Sequence, residues 1–468
     1  MSTDTADASL RRPNVLLLYT DQQRWDALRC AGNELIHTPN IDALAGQGAV
    51  LRNAYCPSPV CMPSRQSFLS GQYPSSIGST CNGVEMPEDV LTVQEVLGRY
   101  GYHTANIGKL HFLNHSDRDH RELHPAYGFD ELVISDEPGC YDDAYIKWVE
   151  EKDPSQVENC RCTSPPAVTA DRIEKHPRAT HQPYVFEGPE ELTHTAFVAE
   201  ETAGYVRRHA HEPFFAIAGF YAPHAPLNPP QRFVDMYDPA EMPPPAMREG
   251  EGERFGLSVD EWKRVAAFYY ALVSHIDDQV GRIISALEET GQRENTLVIF
   301  TSDHGEHLGD HGQIGKGAPG YDSAARVPLV LSYPARFEDT QVREELIEGV
   351  DVVPTILDYC GIQTPPLMQG RSFRPLLEEG EYEERTSAFI EHKFPFRSAW
   401  KTIRTRRYKY CVSADGAELL FDLHEDPGEL NDVSGDPAHR EALYDARREL
   451  LDRWFDVQQE YPLRTADY

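Results

Sequence analysis

Asn14-Val15-Leu16-Leu17-Leu18-Tyr19-Thr20-Asp21-Gln22 opens on an unbroken apolar run and ends in a carboxylate and an amide. Such a run, without polar alternation, is the pattern of a central strand covered on both faces. Open α/β sheets hold ligands beyond the C-terminal ends of these strands, which is where Asp21 and Gln22 fall. The arrangement recurs. Residues 102–107 lead into Gly108-Lys109-Leu110-His111, residues 214–221 into Ala222-Pro223-His224-Ala225-Pro226, and residues 296–301 into Ser302-Asp303-His304-Gly305-Glu306-His307. Taken alone, an Asp after a strand is more often a helix cap than a ligand, about two times in three. Lys109 and His111 are two apart, so an extended backbone points them to one side.

Residues 56–65, CPSPVCMPSR, supply a different kind of group. Pro63 suits the first turn of a helix, and the following residues, closed by Gly71, read as that helix. Cys61 then sits at a helix N-terminus, where free amides and Arg65 one turn on favour an anion. Cys61 is thereby marked as a reactive position and Cys56 as a loop residue. Lys316, in Gly-Lys-Gly, is a further loop cation, and His307, Asp310 and His311 read as supports around the Asp303-His304 turn.

Elsewhere the chain divides into residues 1–370, an α/β unit, and residues 371–468. Thr38 reads as the N-cap of a short helix, residues 192–208 as a helix, and Ser258 to Glu261 as a capping box opening a long helix towards Gly291. His275, Asp277 and Asp278 on that helix read as surface or helix-packing groups, and Asp351 as structural. Between residues 113 and 190 periodicity dissolves, as in an inserted loop. Cys160, Arg161 and Cys162 there, with His115, His120 and His124, match no zinc spacing and read as surface decoration. Beyond residue 371, short strands at 388–390, 399–404, 408–412 and 418–422 precede a helix at 438–461, the pattern of a small antiparallel sheet with a covering helix.

The net charge of −32 argues against nucleic acid and anionic membrane surfaces as partners. Any anion site must be made positive locally, and only nine of the 44 basic residues are lysines, so Lys109 and Lys316 are unusual choices. No apolar run reaches the roughly 18–20 residues of a membrane span. Nine cysteines without regular spacing agree with a reducing compartment, and the acidic, polar start lacks the pattern of a signal peptide. A cytoplasmic location is the expectation.

Cys61-Met62-Pro63-Ser64-Arg65 resembles the C-x-P-S-R core of the sulfatase family, and residues 67–74, SFLSGQYP, resemble its continuation. Lys109-Leu110-His111 is similar to the family's K-x-H element, residues 349–355 to its helix-initiating segment, and Leu420-Phe421-Asp422-Leu423 to its closing strand. The resemblance implies an alkaline-phosphatase-like α/β fold, a large mixed sheet flanked by helices with a smaller C-terminal sheet and helix. It implies hydrolysis of a small-molecule or saccharide sulfate ester by formylglycine, made from Cys61 by a transient partner, a formylglycine-generating or sulfatase-maturating enzyme. Asp21, Gln22, Asp303 and His304, with the modified Cys61, would hold one divalent cation, Ca²⁺ by resemblance. Gln22 and His304 replace the family's commonest Asp and Asn, and the imidazole makes Mn²⁺ or Zn²⁺ competitive.

The implied mechanism has the hydrated aldehyde attack sulfur, Asp303 taking its proton and Arg65 stabilising the alkoxide. The metal, Lys109 and Lys316 would neutralise the sulfuryl oxygens, His224 with Lys316 would assist the leaving alcohol, and His111 would help the second hydroxyl expel sulfate. The nearest alternative is a phosphonate monoester or phosphodiester hydrolase of the same superfamily, which by resemblance can also use formylglycine and Asp-Gln with Asp-His metal ligands, and against which Lys109-Leu110-His111 speaks. A non-catalytic binding protein would leave the gathered cations and ligands without a purpose. A zinc hydrolase on His304, His307 and His311 would leave the Cys61 motif unexplained.

Overall fold

β1 (Asn14–Asp21) is buried at every residue, as its composition demands. Leu16 and Leu18 join one apolar core, while Val15, Leu17 and Tyr19 join the other, so the strand separates two helical layers. The computed structural model describes residues 12–114, 123–139, 143–161, 182–337, 339–378, 381–393 and 399–458. β1 lies between β5 (Phe214–Pro223) and β6 (Thr296–Ser302), parallel to both. β3 (His103–Gly108) runs parallel beside β5, with β4 (Glu131–Ile134) parallel beyond it. On the other side, β8 (Leu329–Ser332) is antiparallel to β6 and to β2 (Gly48–Tyr55). β2 also pairs with β7 (Arg326–Val327) and, in parallel, with β9 (Gln341–Glu348). The result is a large mixed sheet with helices on both faces.

The long helix, Val259–Glu289, opens with the expected capping box of Ser258 and Glu261. Thr38 does not cap the helix Pro39–Gly46 through its side chain. Asp277 does this from the long helix, accepting from Ile41 N at 2.8 Å and Asn40 N at 3.2 Å. The sequence placed a carboxylate in a helix, and tertiary packing made it another helix's cap. His275 is likewise buried, whereas Asp278 pairs with Arg232 at 2.8 Å near the surface.

The segment 113–190 is not merely an inserted loop. β4 extends the main sheet, and the helix Ala144–Lys152 buries Tyr145, Ile146, Trp148 and Val149 in a core. Cys160 is buried in that core beside the Leu192 carbonyl, which corrects its reading as surface decoration. His124 is half-buried with Nδ1 2.8 Å from the Pro125 carbonyl; His115, His120 and Cys162 lie outside the described residues.

β10 (Ala388–Lys393), β11 (Ala399–Arg404), β12 (Tyr408–Ser413) and β13 (Glu418–Asp422) form the second sheet, antiparallel throughout. Leu443, Ala446 and Leu450 of the helix Arg440–Val457 cover it, packing with Phe389, Ile403, Tyr410 and Leu420. This unit is bolted to the larger one by Lys409. Its buried ammonium sits between Asp322 and Glu429 and also reaches the Gly320 carbonyl at 3.1 Å. Removing one partner of such a cluster leaves uncompensated buried charge, so Lys409→Met is expected to lower stability by about 3–5 kcal/mol. An unchanged urea midpoint would show that this cluster is not what joins the sheets. Among the described residues, no helix is long and apolar enough to cross a membrane.

Candidate active site

The four parallel strands end in one row. Tyr19 of β1 registers with Gly219 of β5 and Thr301 of β6, and Gly108 of β3 with Gly219. Lys109, Asp21 and Asp303 therefore leave the sheet at nearly the same level. β3 and β5 approach closely there because both strands carry glycine. A Cβ on Gly108, whose φ is 92°, would stand 2.2 Å from the Gly219 carbonyl oxygen, and one on Gly219 would stand 2.3 Å from that of Lys109. Cys61 is the first residue of the helix Cys61–Ser70, which is buried on all sides and closed by left-handed Gly71. Asn82 accepts from Met62 N at 3.0 Å and steadies that first turn.

Asp21, Cys61, Asp303 and His304 are all buried, with one potential ligand atom from each lying within 4.8 Å of the others. The two carboxylates divide their oxygens. Asp303 Oδ2 accepts from Arg65 Nε at 2.7 Å, and Asp21 Oδ2 meets Lys109 Nζ at 2.8 Å and Arg65 at 3.4 Å. Their Oδ1 atoms face His304 Nε2 at 3.8 Å for Asp21 and 3.7 Å for Asp303. His304 Nδ1 lies 2.8 Å from the Gly305 carbonyl, to which it can only donate, so Nε2 keeps its lone pair towards the group. Burial pushes His304 down to about 4, which keeps that ring neutral near pH 7. Two carboxylate oxygens and a neutral imidazole nitrogen beside Cys61 fit a divalent cation.

Arg65 braces the site from below. Besides the two carboxylates it donates to the Lys109 carbonyl and the Thr20 carbonyl, each at 3.2 Å, and it stacks on Tyr19. These bonds end on the carboxylates and the backbone rather than on Cys61. Burial works to raise the Asp21 carboxyl, but Lys109, then Lys316, His224 and Arg65, hold it well below the usual range. Lys109 is fully buried and is answered by Asp21 and, at 3.5 Å, by Glu137. Glu137 lies in the segment without periodicity, and no motif pointed to it.

Lys316 brings Nζ to 2.7 Å from Cys61 Sγ and 4.0 Å from Asp21. His224, half-buried, has Nδ1 2.8 Å from the Ala225 carbonyl, and burial and then Lys316 lower it to about 4. Its ring is thus neutral near pH 7, and Nε2 would have to be protonated before it could act as an acid. His111 has its backbone N–H on Asp136 at 2.8 Å and takes a left-handed φ of 58°. Gln22 donates its backbone N–H to Asp303 Oδ1 at 3.0 Å and its side-chain amide to Glu306.

The helix N-terminus does not bring the Cys61 thiol below its ordinary value. Burial, then Asp21, push the thiol up to about 11, against the pull of Lys316 and Lys109. Cys56 is buried with its N–H on the Ala325 carbonyl, a structural loop residue. His307 pairs with Ser323, His311 stacks on Tyr321 at 3.6 Å between centroids, and Asp310 holds Arg24 at 2.8 Å. These three shape the loop behind His304 and do not join the ligand group.

The sulfatase family profile matches residues 13–362, and a profile described as the C-terminal part of N-sulphoglucosamine sulphohydrolase matches residues 309–455. The chain is 32% identical to an arylsulfatase of Clostridium perfringens, covering 94% of each. It is 31% identical to the multifunctional alkaline phosphatase superfamily protein PehA of Trinickia caryophylli, covering 94% of this chain and 95% of that one. A solved phosphonate monoester hydrolase of Agrobacterium radiobacter superposes with a TM-score of 0.82 at 25% identity, covering 96% of each chain. With the family profile spanning most of the chain, this protein belongs to the sulfatase family, hydrolases of sulfuric esters on an alkaline-phosphatase-like fold.

Proposed function

We propose that this enzyme cleaves a sulfate monoester at Cys61, matured to formylglycine, beside one divalent cation held by Asp21, Gln22, Asp303 and His304. The observation that carries the reading is Lys316 Nζ at 2.7 Å from Cys61 Sγ, with Lys109 on the far side of Asp21. Two ammonium groups around a buried nucleophile position suit a sulfuryl group whose oxygens gain charge as the ester bond breaks. A buried thiol pushed up by burial and Asp21 is a poor nucleophile by itself. When present, formylglycine supplies a hydrated aldehyde as the attacking group and the cation supplies Lewis acidity; oxygen-rich ligands suit Ca²⁺, with Mn²⁺ or Zn²⁺ admitted by His304.

The chain's own residues do the rest. Arg65 fixes both aspartates, so Oδ1 of each stays on the nucleophile side. Asp303, within 4.8 Å of the Cys61 sulfur, takes its proton in this reading, and Lys109 and Lys316 bind and orient the sulfate. The incoming anionic ester offsets the nearby ammonium groups, which favours protonation of His224 at Nε2, from where the proton passes to the leaving alcohol. His111 serves the return step that frees sulfate. Cys61 is 2% exposed, so its maturation partner must reach it before that helix is packed.

The solved phosphonate monoester hydrolase makes a direct comparison informative. Aryl sulfate and aryl phosphonate esters assayed side by side are expected to give the higher kcat/KM on the sulfate; a preference for the phosphonate would reverse the assignment. Running aryl, alkyl and saccharide sulfates in parallel then sorts the substrate class.

A further inference from the structure

Gln22 is an uncomfortable residue. Its φ is 65°, a left-handed conformation that few side chains take without compensation. Three bonds hold it there. Its N–H goes to Asp303 Oδ1 at 3.0 Å, its carbonyl accepts from Tyr269 Oη at 2.6 Å, and its Nε2 donates to Glu306 Oε2. Glu306 is itself buried, and its other oxygen accepts from Leu308 N at 3.0 Å and from Gly315 N. Gly315 immediately precedes Lys316, and its carbonyl accepts from His307 N at 2.9 Å. One carboxylate therefore touches both the amide beside Asp21 and the backbone that carries the lysine over Cys61.

An amide can offer a cation only its oxygen, yet either end of the group fits the same space. A carboxylate set against the nitrogen removes that ambiguity. We propose that Glu306 is a positioning residue for the cation site, taking the Gln22 amide nitrogen so that the amide oxygen is what remains for the metal, while its bond to Gly315 sets the register of Lys316. This rests on the reading of Gln22 as a ligand. Glutamine at 306 would keep one acceptor but would turn a donor against either Gln22 or the Leu308 and Gly315 amides.

The test is calorimetric titration of metal-stripped enzyme with CaCl₂, with MnCl₂ as a second arm, on wild type, Glu306→Gln, Gln22→Ala and the double variant. Loss of a group that orients a ligand commonly weakens metal binding about 10–100-fold. That loss is expected for Glu306→Gln, with the double variant no weaker than Gln22→Ala alone and the circular dichroism of the stripped proteins unchanged. Wild-type affinity in Glu306→Gln, or losses that multiply in the double variant, would overturn the inference. Unchanged affinity in Gln22→Ala would instead remove the ligand reading on which it stands. Should Glu306→Gln not fold, Glu306→Asp, which keeps the charge and shortens the reach, is titrated against the same expectation.

Discussion

Cys61→Ala is expected to give a folded protein that releases no measurable sulfate. Removing a covalent nucleophile from an otherwise intact site costs on the order of 10⁶-fold in kcat. The fold should tolerate the change. Cys61 is buried, but its sulfur meets Lys316, His304 and Asp21 rather than an apolar core, and the helix it opens is held by the residues that follow. Equal far-ultraviolet dichroism and a melting temperature within a few degrees of wild type should accompany the loss. Retained turnover in Cys61→Ala would mean that another group attacks the ester.

Lys316→Ala carries the second large effect, and comparison with Lys109 shows why. Lys109 is fully buried between Asp21 and Glu137, so its removal would leave buried charge unpaired and damage folding together with chemistry. Lys316 sits on a loop with its side chain 16% exposed, so its removal should affect the reaction far more than stability. The expected loss is about 10²–10³ in kcat, equivalent to about 2.7–4 kcal/mol of transition-state stabilisation. Lys316→Arg should recover little, because a planar guanidinium does not fit where a single ammonium approaches both Cys61 and Asp21. A rise in KM with kcat unchanged would mean that Lys316 binds ground state and transition state equally and gives the transition state no extra stabilisation.

The strand ends were legible because burial on both faces forces an unbroken apolar run. Thus β1, β5 and β6, with the groups that follow them, stood out before any pairing was known. The C-terminal sheet was legible from alternation, and β11 and β13 fall where the pattern put them. β9 was not legible, since QVREELIE is an edge strand whose first half is largely solvated. The Asp277 cap and the Glu137 partner of Lys109 were also out of reach, because each joins elements far apart in the chain. Arg65 was visible as a charge near Cys61. That it braces Asp21 and Asp303 follows only from where β1 and β6 end.

Formylglycine at position 61 is tested most directly by quantitative mass spectrometry of the peptide spanning Cys61, made on enzyme batches of differing maturation and paired with sulfate release. Turnover per molecule is predicted to rise in proportion to the aldehyde fraction and to extrapolate to zero where only thiol is present. Full turnover from a batch whose Cys61 is entirely thiol would contradict the account.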